Sequence, residues 1–81
     1  QYTANERLWD RWESLSPREK DVTALVCLGY TNRQIAAQLN IAPDTVKDRL
    51  SAVFRKFDVN RRTDLRALFS HWDFNEWERQ R

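Results

Sequence analysis

Cysteine, glycine, proline and methionine are all scarce in this chain of 81 residues, which has one Cys, one Gly, two Pro and no Met. A single cysteine, Cys27, excludes an internal disulfide, and its position in an apolar run indicates a buried thiol in a reducing compartment. So little Gly and Pro, with no alternating run of Val, Thr and Ile, favours helices joined by short connections. The sequence therefore predicts an all-α fold without a sheet.

Patterns for catalysis, metal binding and membrane insertion are also missing. His71 has no Cys or carboxylate at ligand spacing, and there is no Gly-rich phosphate loop and no carboxylate pair in an apolar segment. We therefore expect no enzyme activity, no catalytic residue, no metal and no cofactor. No apolar run approaches the roughly 20 residues of a membrane span, so we expect a soluble, cytoplasmic domain. Since the chain begins at Gln1 and has no Met, we expect it to be part of a longer protein with an upstream regulatory domain.

The chain does have enough apolar material for one small core, and its middle is basic. Hydrophobic residues make up 41%, with four Trp, two Tyr and four Phe, and the length is that of one domain. The net charge is only +2, but residues 16–70 carry ten cations and six anions, while each flanking segment carries one more anion than cations. The basic charge is thus concentrated in the middle of the chain.

Residues 16–43 contain several patterns that begin or end helices. Residues 16–19, SPRE, combine an N-cap serine, a proline at the first helical position and a glutamate at N3, and residues 31–34, TNRQ, form a second capping box. Gly29 and Asn40 are residue types that end helices in the left-handed conformation, and Pro43 restarts a helix about three residues later. Two helices joined so closely, the second amphipathic, predict a helix-turn-helix.

Residues 42–57, APDTVKDRLSAVFRKF, predict a helix over residues 43–57 with two unlike faces. One is an apolar stripe that must be buried, formed by Val46, Leu50, Val53, Phe54 and Phe57. The other face is polar and has cations at its edges: Asp44, Asp48, Ser51 and Arg55, flanked by Thr45, Arg49, Lys56 and Lys47. A solvated amphipathic helix has such a face, and so does a helix that reads base edges between two rows of phosphates.

Aromatic segments flank this unit. Apolar residues at helical spacing predict an amphipathic helix over residues 3–14: Leu8, Trp9, Trp12 and Leu15. A last helix is expected from Asn60 or Arg61 through Trp72, with Trp77 beyond it. We expect these tails to extend the core, with pairing of the tails or a subunit contact as the alternative. The predicted domains are an N-terminal helix or linker over 1–15, a four-helix helix-turn-helix domain over 16–70 and a C-terminal aromatic tail over 71–81.

The motifs SPRE, GYTNRQIA, TVK and the series KF-V-R-T-L follow one another across residues 15–70. In this order and spacing they resemble the LuxR/GerE-type DNA-binding domain of bacterial transcription regulators. The resemblance implies sequence-specific binding of double-stranded DNA by a regulator's output domain, with the helix over 43–57 in the major groove. It also implies a homodimer on DNA, paired through the fourth helix, with half-sites about 34 Å apart.

The resemblance further implies roles for individual residues. The residues expected to touch bases are Lys47, Asp48 and Ser51. Those expected to meet the phosphate backbone are Thr45, Arg49, Lys56, Arg33 and Arg62. Those expected at the dimer interface are Arg62, Leu65, Arg66 and Phe69.

Four positions depart from the resembled pattern. Ala42 stands where Ser or Thr is usual, so the recognition helix has no side-chain N-cap, and Arg49 stands where His is common. Asp58 replaces a frequent Gly, and Arg61 replaces a frequent Asn. These two changes make the predicted start of the last helix less well defined. Asp48 is unusual in charge, because a carboxylate facing DNA only accepts, most readily from cytosine N4. The alternative is that Asp48 pairs in solvent with Lys47, Arg49 or Arg55.

Two other functions stay open at this stage. The stretch TVKDRLS also resembles the promoter-reading fourth region of sigma factors, although the short junction at residues 29–31 and the sequence DVNRRTDL oppose that interpretation. A helix-turn-helix that has lost DNA binding and now dimerises or sequesters a protein is the second alternative. It is supported by Asp44, Asp48 and the acidic tails.

Overall fold

The computed structural model describes residues 4–75 of the chain, with side chains described from Arg7 onward. Within this range the chain forms five helices and no strand, which confirms the predicted all-α fold. The helices are α1 (Ala4–Glu13), α2 (Pro17–Cys27), α3 (Asn32–Leu39), α4 (Pro43–Phe57) and α5 (Arg62–Leu68). The predicted contribution of Trp77 lies outside the described residues.

Both predicted capping boxes are confirmed. At the start of α2 the Ser16 hydroxyl accepts from the backbone N–H of Glu19, and the Glu19 carboxylate accepts from the backbone N–H of Ser16. Thr31 and Gln34 make the same pair of hydrogen bonds at the start of α3. Each box satisfies backbone donors that the first turn of a helix leaves unpaired, so the two helix starts are determined locally.

Left-handed residues end the helices around the turn. Gly29 has φ +97° after α2, and Asn40 has φ +57° directly after α3, as predicted. Residues 40–42 are then the whole connection to α4, and α3 packs against α4. The predicted helix-turn-helix is therefore present.

Helix α4 has the predicted bounds, Pro43 to Phe57. Ala42 precedes it in an extended conformation, with φ −72° and ψ 147°. Asp58 follows it in the left-handed conformation, with φ +55° and ψ 47°. Glycine adopts this conformation most easily, which explains why a glycine is frequent at this position in the resembled pattern.

The core lies between α2, α3, α4 and α5. Helix α4 packs against α2 and α3, and α2 also packs against α5. The apolar stripe of α4 is buried as predicted, except that Phe54 is half-buried. Helix α2 is buried from Val22 to Val26 without interruption, including Thr23, whose hydroxyl donates to the Glu19 carbonyl at 2.8 Å. The central position of α2 explains why its apolar residues do not form a single stripe.

An aromatic cluster extends the core to both flanking segments; it consists of Trp9, Trp12, Phe57, Phe69, Trp72 and Phe74. Phe69 is central, with ring centroids 6.0 Å from Trp12, 5.3 Å from Phe57 and 4.9 Å from Trp72. The last helix was predicted to run through Trp72, but α5 ends at Leu68. The chain leaves the helical path there, and Phe69, Trp72 and Phe74 pack around Trp12.

Helix α1 is attached to the C-terminal end of α4. The Arg11 guanidinium donates to the carbonyl of Phe57 at 3.4 Å, where a helix has unpaired carbonyls and a partial negative charge. Lys20 of α2 forms an ion pair with Glu13 at 3.2 Å and lies 5.9 Å from the centroid of the Trp12 ring. These contacts hold α1 away from the N-terminal half of α4.

Candidate nucleic-acid interface

The polar face of α4 is exposed over its whole length. Lys47, Asp48 and Ser51, the three predicted base-contacting residues, are all exposed, and so are Asp44 and Arg55 on either side of them. They lie opposite the buried stripe, which is held by α2 and α3. The structure therefore brings the predicted base-contacting residues together on one accessible surface.

Among the described residues, side-chain hydrogen bonding on this face is limited to one contact within the helix. The Ser51 hydroxyl donates to the carbonyl oxygen of Lys47, four residues earlier, at 3.1 Å. Within the described part of the chain Asp48 forms no ion pair with Lys47, Arg49 or Arg55. The structure thus does not support the alternative in which Asp48 is neutralised by a neighbouring cation.

Three of the predicted phosphate-contacting residues flank this face or lie on α3. Thr45 and Arg49 are half-buried along one edge of α4, and Arg33 is exposed near the start of α3. The Nε atom of Arg49 is buried and has no hydrogen-bond partner among the described residues. A buried donor without a partner is costly, so the Nε atom of Arg49 lowers the stability of the domain.

Lys56, a fourth predicted phosphate contact, is already paired. Its ammonium lies 2.9 Å from Oε1 of Glu19, the oxygen that also accepts the backbone N–H of Ser16. Burial acts to raise the pKa of Glu19, but the hydrogen bonds from Lys56 and Ser16 outweigh burial and lower it below its usual value. Lys56 therefore joins the end of α4 to the start of α2.

Arg62, the fifth, also has protein partners. Its guanidinium donates to the carbonyl of Tyr30 and to the side-chain oxygen of Asn32. Burial, with a smaller contribution from the charge of Arg66, lowers the pKa of Arg62. Arg62 thus ties the beginning of α5 to the turn between α2 and α3, a role that sequence reasoning missed because the partners lie about thirty positions apart.

The residues predicted at a dimer interface differ in their exposure within the single chain. Leu65 and Phe69 are 0% and 2% exposed, so both side chains are taken up by the core of a single chain. Arg66 is exposed, and Leu68, which was not predicted, is 40% exposed. A contact between two copies through α5 stays a prediction, and the exposed side chains of this helix include Arg66 and Leu68.

Cys27 is half-buried at the end of α2. Burial raises the pKa of its thiol to about 12, against the opposing effect of Arg66. The thiolate needed for metal binding or nucleophilic attack is therefore disfavoured. Among the described residues no group of three metal-ligating side chains occurs, and no helix there combines the length and hydropathy of a membrane span.

The sequence of this region is similar to those of known proteins. The family model for bacterial regulatory proteins of the luxR family matches residues 13–69. A putative HTH-type transcriptional regulator of Mycobacterium tuberculosis is 41% identical over 54 residues, which are 67% of this chain and 6% of that protein. The nitrate/nitrite response regulator protein homolog of Haemophilus influenzae is 40% identical over 57 residues, 70% of this chain and 27% of that protein. The two-component response regulator PprB of Pseudomonas aeruginosa is 45% identical over 56 residues, which are 69% of this chain and 20% of that protein.

These relatives are much longer than this chain, which spans between 6% and 27% of their lengths. The segment matched by the family model begins at the end of α1 and includes α2, α3, α4 and α5. It contains both capping boxes and the complete polar face of α4. The match also decides against the sigma-factor interpretation of TVKDRLS. The chain belongs to the luxR family of bacterial regulatory proteins, and residues 13–69 form its helix-turn-helix domain.

Proposed function

We propose that this domain binds double-stranded DNA sequence-specifically, as the output domain of a longer bacterial transcription regulator. The observation that carries the proposal is the polar face of α4, which is exposed and forms no ion pair within the described residues, opposite a stripe buried against α2 and α3. A helix of 15 residues, about 22 Å long, fits the major groove, which is roughly 12 Å wide. DNA binding in a bacterium would place the protein in the cytoplasm.

In this proposal Lys47, Asp48 and Ser51 face base edges, and residues beside them contact phosphates. Thr45 and Arg49 lie along one edge of α4 and Arg33 lies on α3, so phosphates on one side of the groove meet side chains from both helices. Phosphate contacts fix the position of the helix, whereas contacts to bases determine which sequence is bound.

Lys56 and Arg62, the other two predicted phosphate contacts, already have partners within the protein. An ammonium has three N–H donors, so Lys56 can bind a phosphate while it keeps Glu19 as a partner. Arg62 positions the turn between α2 and α3 through Tyr30 and Asn32, and its contact with DNA would compete with these bonds. We expect substitution of Arg62 to lower the stability of the domain as well as its affinity.

The protein would bind DNA as a homodimer through the exposed side of α5, with Arg66 and Leu68 near the two-fold axis. Half-sites would then lie about 34 Å apart, one turn of the duplex. Inserting half a turn or a full turn of DNA between the half-sites should in both cases abolish cooperative binding of the second copy, because a direct contact through α5 cannot span the added distance. Two of the relatives are named response regulators, and we expect a regulatory domain upstream of this one.

The experiment that tests the proposal starts from duplexes selected from a random pool. For the best duplex, log K is measured against log salt, and each lost phosphate contact should flatten the slope by about 0.9. Arg33→Ala and Arg49→Ala should each produce this change without altering the preferred sequence. Arg7→Ala is the matched control, because α1 lies at the far end of α4 and its loss should leave the slope unchanged.

If no duplex is bound at low salt while the chain associates tightly with itself, the DNA-binding proposal fails. That result would favour the protein-interaction module. If DNA is bound but all three substitutions change the slope equally, DNA is bound by a surface other than α3 and α4.

A further inference from the structure

Two acceptor groups on the polar face of α4, the side chains of Asp48 and Ser51, lie side by side. Asp48 and Ser51 are three residues apart, so they are neighbours on the helix surface, and both are exposed. The Ser51 hydroxyl proton is directed at the carbonyl of Lys47, at 3.1 Å, which leaves only oxygen lone pairs facing outward. An ionised carboxylate likewise only accepts. Together these groups form an acceptor pair, Asp48 and Ser51.

An acceptor pair requires hydrogen-bond donors on the DNA. In the major groove the donors are the amino groups of cytosine N4 and adenine N6. The adenine amino group has acceptors on both sides, its own N7 and O4 of the paired thymine, and both repel a carboxylate. Cytosine N4 has a C5–H group on one side and guanine O6 on the other. The charge of Asp48 therefore favours cytosine over adenine.

Lys47 supplies the complementary donor. It precedes Asp48, is exposed, and forms no ion pair within the described residues. Its ammonium can donate to O6 and N7 of guanine, the base paired with cytosine. A carboxylate and an ammonium on adjacent residues thus match the amino group and the carbonyl oxygen of a G·C pair.

We infer that Asp48, assisted by Ser51, determines specificity by accepting a hydrogen bond from a cytosine N4 amino group in each half-site. The inference rests on the proposed function and specifies which base it recognises. Repulsion between Asp48 and nearby phosphates weakens every complex, so Asp48 acts mainly by weakening binding to sites that have no cytosine at this position.

A chemical change in the DNA tests this directly. N4-methylcytosine retains the base pair but replaces the N4–H that faces the major groove. In the selected duplex, this substitution at the enriched cytosine should weaken wild-type binding about 5- to 10-fold, the lower end of the discrimination expected from one base contact. Asp48→Ala should bind both duplexes equally, and should bind duplexes without the cytosine more tightly than the wild type does.

Two further variants separate charge from geometry. Asp48→Asn should shift the selected base toward adenine, because an amide both donates and accepts and matches N6 and N7. Asp10→Asn is the control: it removes an exposed carboxylate from α1, which is attached to the C-terminal end of α4, and should leave the preferred base unchanged. Equal urea midpoints for all variants will confirm that folding is unaffected.

The outcomes distinguish this inference from the proposed function. If the wild type selects a defined duplex without cytosine enrichment, or if Asp48→Ala stays sensitive to N4-methylcytosine, the inference is overturned and the proposed function stands. If no duplex is bound at all, the proposed function itself fails.

Discussion

Lys56 in the last turn of α4 and Glu19 in the first turn of α2 share a hydrogen bond of 2.9 Å, although 37 positions separate them. The same carboxylate closes the capping box of α2, so one side chain supports the start of one helix and the end of another. The Lys56 side chain is 42% exposed, and an ion pair so accessible to solvent contributes on the order of 0.5–1 kcal/mol.

This pair predicts an acid-sensitive contribution to stability. Burial raises the pKa of Glu19, but the contacts with Lys56 and Ser16 together lower it by more. The pKa therefore lies below its ordinary value of 4.5. A lowered pKa in the folded state stabilises the fold above about pH 4.5, and this contribution is lost as the pH falls through the folded-state pKa. Urea unfolding across the acid range should show a smaller loss of unfolding free energy for Glu19→Gln than for the wild type. Glu13→Gln, whose pair with Lys20 is more exposed, is the control and should follow the wild type.

Arg49 should contribute to binding at the expense of stability. Its buried Nε has no partner among the described residues, so Arg49→Met, which keeps an unbranched stem, should raise the free energy of unfolding by about 1 kcal/mol. The same variant should flatten the salt slope of DNA binding by about 0.9. Arg33→Met, at an exposed position, should flatten the slope without a gain in stability. A less stable Arg49→Met would show that the aliphatic stem and the charge matter more than the unpaired donor.

Replacing Asp58 with glycine should stabilise the domain. At φ +55° an aspartate is strained and a glycine is not, so Asp58→Gly should stabilise the domain by about 0.5–1 kcal/mol in urea titrations. Asn40→Gly is the comparison, because asparagine tolerates the left-handed conformation better than most residues do. A midpoint that is lower for Asp58→Gly would mean that the carboxylate makes a stabilising interaction stronger than the backbone strain.

A substitution at Ala42, directly before α4, should also stabilise the domain. Its extended backbone is that of an N-cap, so Ala42→Ser should add about 0.5–2 kcal/mol by accepting a backbone N–H of the first turn. Ala42→Asp should stabilise equally but weaken DNA binding, because it adds a carboxylate near the proposed groove. Ala42→Val provides no acceptor and should bring no gain. Equal midpoints for Ala42→Ser and Ala42→Val would place the cap at another residue.

Local chemistry made most of the fold predictable. The capping boxes at Ser16 and Thr31, together with Pro43, determine where three helices begin, because the bonds involved lie within four residues of one another. Gly29 and Asn40 mark helix ends for an equally local reason. The polar face of α4 was predictable because helical spacing alone determines which side chains share a face.

What the sequence did not reveal depends on contacts between distant residues. The end of α5 was missed because the chain leaves the helix when Phe69 and Phe74 pack on Trp12, more than fifty positions away. The pairing of Lys56 with Glu19 and of Arg62 with Tyr30 has no local pattern either. For the same reason Leu65 and Phe69, predicted at a dimer surface, turned out to be buried in the core.

Because the aromatic cluster contains tryptophans, the intrinsic fluorescence of the domain reports its folding. The three tryptophans that the structure describes, Trp9, Trp12 and Trp72, all belong to it, and Arg11 attaches this end of the molecule to the last carbonyl of α4 rather than to its N-terminal half. Emission from Trp12, which is 7% exposed, should shift to longer wavelength when the chain unfolds. Adding duplex DNA should leave that emission nearly unchanged, so the same sample can report folding by fluorescence while binding is followed with a labelled oligonucleotide.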